Sequence, residues 1–369
     1  MRILVTGGAG FIGSHLVDEL VKRGHQVRVL DSFEPQVHGK TRPAYLNPRA
    51  EYVEGTVQHR ALLVKALQGI ELVFHEASAV GVGQSMYQIQ HYVEANTMAT
   101  AVLLDALVNE KLPIQKLIVA SSMSIYGEGL YACSACGDVS PQLRGEDQLK
   151  RQAWEMRCPA CGREAAPKPT PESKRPWPTS IYASTKYDQE EMCLMVGRAY
   201  KIPTVALRYF NVYGTRQSLS NPYTGVCAIF SSRIKNRHAP IIYEDGFQSR
   251  DFIHVSDIVQ ANLLAMERAE ANDEMFNVGT GRPTTVADIA RVLIRLYRQP
   301  LQPQIAGKFR SGDIRHCVAD ITKIQRLGFA PKVQLEEGLK ELVAWGEREQ
   351  AVDRVEEAAR ELEQRGLVT

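Results

Sequence analysis

Residues 2–13 read RILVTGGAGFIG, and the reading of this stretch decides the fold. RILVT is a short aliphatic run of the kind that forms a buried strand. Phe11, Ile12, Leu16, Val17 and Leu20 then recur at helical spacing until Gly24 stops the helix. Gly7, Gly10 and Gly13 stand between strand and helix with the spacing G-x-x-G-x-x-G. Glycines there allow a tight turn and let backbone N–H groups and the positive helix end approach a pyrophosphate. Between a strand and a helix the motif predicts a dinucleotide site, with Gly7, Gly10, Phe11, Ile12 and Gly13 as its contacts.

A second strand, QVRVLD over 26–31, ends on Asp31. A carboxylate at that place hydrogen-bonds the adenosine ribose hydroxyls and repels a 2′-phosphate, so NAD is expected in preference to NADP. Arg28 leaves this expectation intact because it lies inside the strand rather than after it. The alternation continues with a helix through Leu62 to Leu67, a strand at 71–74, a long helix from about 87 to 109 and a strand at 117–121. It resumes with a helix from about 180 to 200 and strands at 204–209 and 275–278. Such order predicts an α/β chain with a Rossmann-type, doubly wound parallel sheet covered on both faces.

At 369 residues the chain exceeds the roughly 100–200 residues of one domain, so two lobes are expected. Forty-four basic against 42 acidic residues leave a formal charge of +2, which implies neither a nucleic-acid nor a membrane partner. No apolar stretch approaches the roughly 20 residues of a membrane-spanning helix. The opening MRILVTGGAG lacks the apolar core and cleavage site of a signal peptide, so a cytoplasmic location is expected. In that reducing compartment the seven cysteines read as thiols or metal ligands, not disulfides.

Residues 130–178 break the alternation. Cys133, Cys136, Cys158 and Cys161 form two C-x-x-C pairs separated by 21 residues, the spacing of a zinc ribbon. Four thiolates would fill a tetrahedral zinc, so the metal would be structural and not a Lewis acid. Pro141, Pro159, Pro167, Pro169 and Pro171, with Pro176 and Pro178 after them, argue against regular sheet in this segment. Cys193 and Cys227 read as buried apolar residues. The domains expected are a NAD-binding Rossmann domain over 1–129, a zinc-ribbon-like insert over 130–178 and a Rossmann continuation over 179–216. A smaller C-terminal substrate domain follows, mainly over 217–346 with Rossmann elements near 251–281, and then a helical tail over 347–369 that reads as a solvated helix end.

Tyr182 and Lys186 form Y-A-S-T-K at the start of a helix, one turn apart on one face. A phenol titrates near 10 in water, and a neighbouring ammonium, helped by a positive nicotinamide ring, would bring it nearer neutrality. The motif alone is short enough to recur by chance. Here it follows the glycine turn and a strand ending SSMSIYG.

With TGGAGFIG and YASTK, the segments HEASAV from His75, Asn96 in EANT, SSMSIYG, RYFNVYG from Arg208, SRDFIHVSDI from Ser249, FNVGTG from Phe276 and RSGDIRH from Arg310 appear in order. On these segments the chain resembles the extended short-chain dehydrogenases/reductases, in the NAD-dependent epimerase/dehydratase family of sugar-nucleotide enzymes. The resemblance covers nearly everything except the insert and the tail. It implies a catalytic set of Ser122, Tyr182 and Lys186, with Tyr182 and Lys186 also touching the cofactor. It implies substrate contacts at Ser124, Asn211, Arg250, Arg310 and Asp313, and arginine suits a diphosphate because its fork makes charge-assisted pairs. Cys317 falls where members border the sugar. Thr56 stands where members usually place an aspartate toward adenine, which weakens that contact or leaves it to backbone.

Dehydratases of the family follow the catalytic threonine with an Asp-Glu pair, whereas Met123 and Ser124 occupy those positions here. Neither serves as the general acid or base of an elimination. The implied activity is therefore inversion at C4 of a nucleotide-activated hexose through a transient 4-keto sugar, with NAD regenerated in each cycle. The alternatives are a nucleotide-glucuronate decarboxylase and, in another class, a non-catalytic NAD-binding sensor or scaffold. A 4-epimerase with a zinc-binding insert is similar to enzymes interconverting dTDP-L-rhamnose and dTDP-6-deoxy-L-talose. Family members commonly pair through the helix around 90–108 and the helix carrying Tyr182, so a homodimer is implied.

Overall fold

The first strand is buried on both faces, and this follows from its sequence. A computed structural model describes residues 1–39, 41–310 and 312–368. In β1 (Arg2–Thr6) every residue after Arg2 is buried. Successive side chains point to opposite faces, so Ile3 and Val5 join Leu16, Val17 and Leu20 of α1 (Phe11–Lys22), while Leu4 joins Leu63, Leu103, Leu107 and Leu194. Each such side chain contributes about 1.5–3 kcal/mol when removed from water, and a strand covered on both sides has no polar alternation to display.

Six more strands complete this sheet: β2 (Gln26–Asp31), β3 (Glu51–Glu54), β4 (Leu72–His75), β5 (Lys116–Ser122), β6 (Thr204–Tyr209) and β7 (Glu274–Val278). Their order is 7-6-5-4-1-2-3, with every neighbouring pair parallel. The chain reverses direction across the sheet between β1 and β4, which opens a crevice at the carboxyl ends of those strands. A separate core in the C-terminal half packs Phe230, Ile234, Phe252, Ile289, Leu293, Leu339 and Leu342 around the helices Val226–Lys235, Val286–Leu296 and Leu335–Gly346.

Two sequence expectations are corrected, and one helix gains an irregular turn. The insert does contain sheet: Leu130–Cys133, Gly137–Val139 and Ala166–Thr170 are strands, and the last pairs with both Leu130–Cys133 and His316–Ala319. Pro167 and Pro169 are two apart, so their missing N–H donors fall on one side of the strand, and Ala166, Lys168 and Thr170 keep donors for the other. The helix expected over 87–109 runs unbroken over residues 89–109, as Ile89–Tyr92, a π-helical stretch Val93–Met98 and a regular helix Ala99–Asn109. The wider π turn accompanies the inward placement of Asn96, which is fully buried and bonded to both backbone groups of Ala79 and to Thr185. The tail is docked, not solvated. In its helix (Val355–Gln364) Ala358 and Leu362 are buried, and beyond it Val368 pairs with Arg310.

No helix of the described residues is long and apolar enough to cross a membrane.

Candidate active site

The glycine turn is built for close backbone approach. Gly7 has φ +69°, and a Cβ there would lie 2.7 Å from the Ala77 amide nitrogen. At Gly13 a Cβ would lie 2.3 Å from the Gly7 carbonyl oxygen, so the helix could not seat against the turn. Gly10 caps α1 without a side-chain hydrogen bond, which leaves the first amides of the helix, at Phe11 and Ile12, to a ligand or to water. Asp31, at the end of β2, accepts from the Ala9 and Phe33 amides at 2.9 Å each, one bond per oxygen. Each oxygen retains acceptor capacity for a ribose hydroxyl. Arg28 points elsewhere, to Glu51 and the carbonyls of Ala66 and Gln68. This donor and acceptor set fits NAD. Thr56 is exposed and its hydroxyl accepts from the Gln58 amide.

Ser122 ends β5, and the Ser180 hydroxyl accepts from the Ala183 amide to start the helix Ile181–Tyr200 (hereafter α2). Tyr182 and Lys186 lie one turn apart on α2, and all three catalytic candidates are buried. Burial raises the Tyr182 phenol above its ordinary range, and the influence of the Ser122 hydroxyl pulls it back down. Lys186 is itself lowered to about 8 by burial, opposed by the Glu76 carboxylate. A low-dielectric setting penalises both charged forms, so a phenolate here depends on the further positive charge of the cofactor.

Glu76 escaped the sequence reading. It follows β4, accepts from the Tyr209 hydroxyl at 2.8 Å and is raised to about 7 by burial. Ser85 and Asn96 were equally silent as positioning groups for α2: Ser85 accepts from the Tyr182 amide (3.0 Å), and Asn96 donates to Thr185 (2.9 Å). Asn96 was marked only as part of the matching EANT segment, and Ser85 could have been signalled only by its polarity within apolar surroundings.

The substrate candidates divide. Ser124 accepts from the Ser122 hydroxyl at 3.1 Å. Asn211 holds a buried Oδ1 without a donor among the described residues, an acceptor free for a ligand. Arg310 stacks 4.1 Å from the Tyr243 ring centroid, and the half-buried Asp313 carboxyl is raised by desolvation and pulled down by Arg310 and Arg250. Arg250 does not present its fork outward: it donates to the carbonyls of Ser249, Ile314 and Arg315. Cys317 is buried against Met123, Tyr126 and Phe210. Cys193 and Cys227 are buried, as expected. Between Val82, Thr179, Ser180, Arg310 and Asp313 a cavity of about 10 Å³ remains, closed by Leu362 and Leu367 of the tail. That is room for one water at most.

The four cysteines of the insert converge, with all Sγ atoms within 4.8 Å of one another. Cys133 and Cys161 sulfurs are 3.5 Å apart, far beyond a disulfide bond and near the ~3.8 Å between thiolates on one tetrahedral zinc. The donor set fits zinc.

The sequence model of the NAD dependent epimerase/dehydratase family matches residues 3–142 and 159–279. The chain is 34% identical over 348 residues to a dTDP-L-rhamnose 4-epimerase from Burkholderia thailandensis, covering 93% of this chain and 94% of that protein. Its fold is similar to that of a UDP-glucose 4-epimerase from Thermotoga maritima solved with UDP-glucose, with TM-score 0.76, 33% identity and coverage of 94% and 98%. It is also similar to a Thermus thermophilus UDP-glucose 4-epimerase solved with NAD, with TM-score 0.75, 27% identity and coverage of 95% and 100%.

Proposed function

This chain belongs to the NAD-dependent epimerase/dehydratase family, and from that premise we propose that it inverts C4 of a nucleotide-activated hexose. The observation that carries the reading is the burial of Ser122, Tyr182 and Lys186 together at the carboxyl end of the sheet, beside a glycine turn that fits NAD. Met123 and Ser124 leave the site without the acid-base pair of an elimination.

When bound along Gly7, Gly10, Phe11, Ile12, Gly13 and Asp31, NAD supplies a hydride acceptor and donor for C4. Tyr182 takes the proton of the 4-hydroxyl as that carbon is oxidised and returns it when the 4-keto sugar is reduced on its other face. Ser122 orients the phenol and the 4-oxygen, and the Lys186 ammonium favours the phenolate. Asn211 and Ser124 offer polar contacts to the sugar, and Arg250, Arg310 and Asp313 the region for the nucleotide diphosphate. The likeness to the Burkholderia thailandensis enzyme supports dTDP-L-rhamnose and dTDP-6-deoxy-L-talose as the substrate pair.

The same reading gives the insert a structural zinc on Cys133, Cys136, Cys158 and Cys161, supported by their convergence. It gives a homodimer through the face that exposes Ile89, Val93, Met98 and Met195, apolar side chains that solvent would otherwise meet. The same reading places the enzyme in the cytoplasm, a reducing setting in which the insert's thiols stay available to a metal. The test is an assay of nucleotide hexoses for C4 inversion. Turnover of none of them would overturn the reading.

A further inference from the structure

Three consecutive carbonyls of the loop before the strand His316–Ala319 are held by two arginines from different parts of the chain. Arg250 donates to the carbonyls of Ile314 (2.7 Å) and Arg315 (2.9 Å). Arg144, which lies in the insert between the two cysteine pairs, donates to the carbonyl of Asp313 (3.2 Å). A guanidinium carries five donors in a fixed fork, so each arginine can serve a carbonyl and a second group at once. Arg144 uses its remaining edge on both oxygens of Glu244, at 2.8 Å each, and on the Trp154 carbonyl.

The same loop is tied to the insert from its other side. Arg315 is 1% exposed, and its guanidinium reaches Glu155 of the insert together with Glu244 and both oxygens of Asp245. His316 adds a contact to Glu155 at 3.1 Å. Glu128, at the threshold of the insert, accepts from the amides of Arg315 and His316. Between the Asp313 carbonyl and the His316 amide the backbone is thus held by Arg144 of the insert, by Glu128 just before it and by Arg250. Such a network has two consequences: charge-assisted bonds at low dielectric are strong, and losing one member leaves the others unsatisfied.

We propose that the insert is a clamp for residues 312–316 of the nucleotide-diphosphate loop, and that Arg144, through the Asp313 carbonyl, and Glu155, through Arg315 and His316, are positioning residues for Asp313. The inference rests on the reading of Arg310 and Asp313 as diphosphate contacts. It explains why the insert joins the sheet of the C-terminal lobe through Ala166–Thr170 and His316–Ala319 instead of standing apart. A clamp on a binding loop acts on substrate affinity, whereas Ser122, Tyr182 and Lys186 are seated on β5 and α2, elements that the clamp leaves in place.

The test compares Arg144→Lys and Glu155→Gln with the intact enzyme. Lysine keeps the charge but lacks the fork, so it cannot hold Glu244 bidentately and the Asp313 carbonyl together. Each variant should raise KM for the nucleotide sugar, and Kd for dTDP or UDP alone, at least tenfold. Each should keep kcat within threefold and NAD content unchanged, with faster amide exchange at Arg315 and His316. Glu155 is 39% exposed at its side chain, so its variant remains folded if Arg144→Lys does not. Unchanged KM and Kd in the folded variants, or a fall in kcat at constant KM, overturns the clamp. An intact enzyme that binds neither dTDP nor UDP sinks the diphosphate reading instead, and faster exchange in Arg144→Lys would then still report the tie between insert and loop.

Discussion

The backbone amide of Tyr182 donates to the Ser85 hydroxyl at 3.0 Å across 97 residues of sequence. Ser85 in turn donates to the Val82 carbonyl at 2.7 Å, so the start of α2 is moored to the loop after β4 without using the phenol. The ring itself meets Tyr92 edge-on, with centroids 6.4 Å apart, a contact phenylalanine reproduces. Tyr182→Phe should therefore keep the fold and bound NAD while turnover falls at least 100-fold, within the 10²–10⁴ typical of a positioned acid-base group. A variant retaining a tenth of the rate would remove Tyr182 as the base.

Cofactor choice rests on Asp31. Two backbone amides fix the orientation of its carboxylate, and a 2′-phosphate would meet that negative charge. NAD should bind at least tenfold more tightly than NADP, about 1.4 kcal/mol, by titration calorimetry. Asp31→Asn should narrow that gap, and equal affinities in the unaltered protein would contradict the ribose assignment.

The pH profile should report Lys186. Burial lowers its ammonium to about 8, so the charge is present below that pH and lost as pH rises through it. If the charge favours the phenolate, kcat should decline above about pH 8, and Lys186→Met should lose most of the rate at every pH. A profile for the unaltered enzyme that stays flat to pH 10 would count against this role.

Metal analysis of protein purified without added zinc should find about one zinc per chain. Replacing Cys158 and Cys161 by serine should remove it and loosen the insert, because in a segment this small the metal's binding free energy is also folding free energy. Affinity for the nucleotide sugar should fall much more than NAD affinity, since the glycine turn and Asp31 lie outside the insert. Metal-free protein with all four thiols titratable, or a chelated enzyme whose insert stays ordered and whose substrate affinity is unchanged, would refute the structural zinc.

The sequence displayed what repeats locally. Ile3, Val5, Leu16 and Leu20 carry their periods in adjacent residues, and Gly7 and Asp31 lie at the ends of elements those periods define. What pairs across long separations left no such trace. Arg144 and Glu244 are 100 residues apart, and nothing around either signals the other. Pro167 and Pro169 spoke against sheet because only the paired structure reveals which side of the strand needs donors. The tail helix, with acidic residues throughout, hid the small face of Ala358 and Leu362 that docks it. At the site itself, residue types indicated the catalytic set, but the rise of the Tyr182 phenol came from burial, which no motif records.

The central claim is C4 inversion by removal and return of one hydrogen. Its most direct test is incubation of the NAD-loaded enzyme with dTDP-L-rhamnose and a panel of UDP-hexoses in D2O, with products read by NMR. The account predicts a product differing from its substrate only at C4, and no solvent deuterium on that carbon, because the hydride that leaves C4 is the one that returns to it. Absence of inversion with every nucleotide sugar, or a product carrying deuterium at C4, would contradict it.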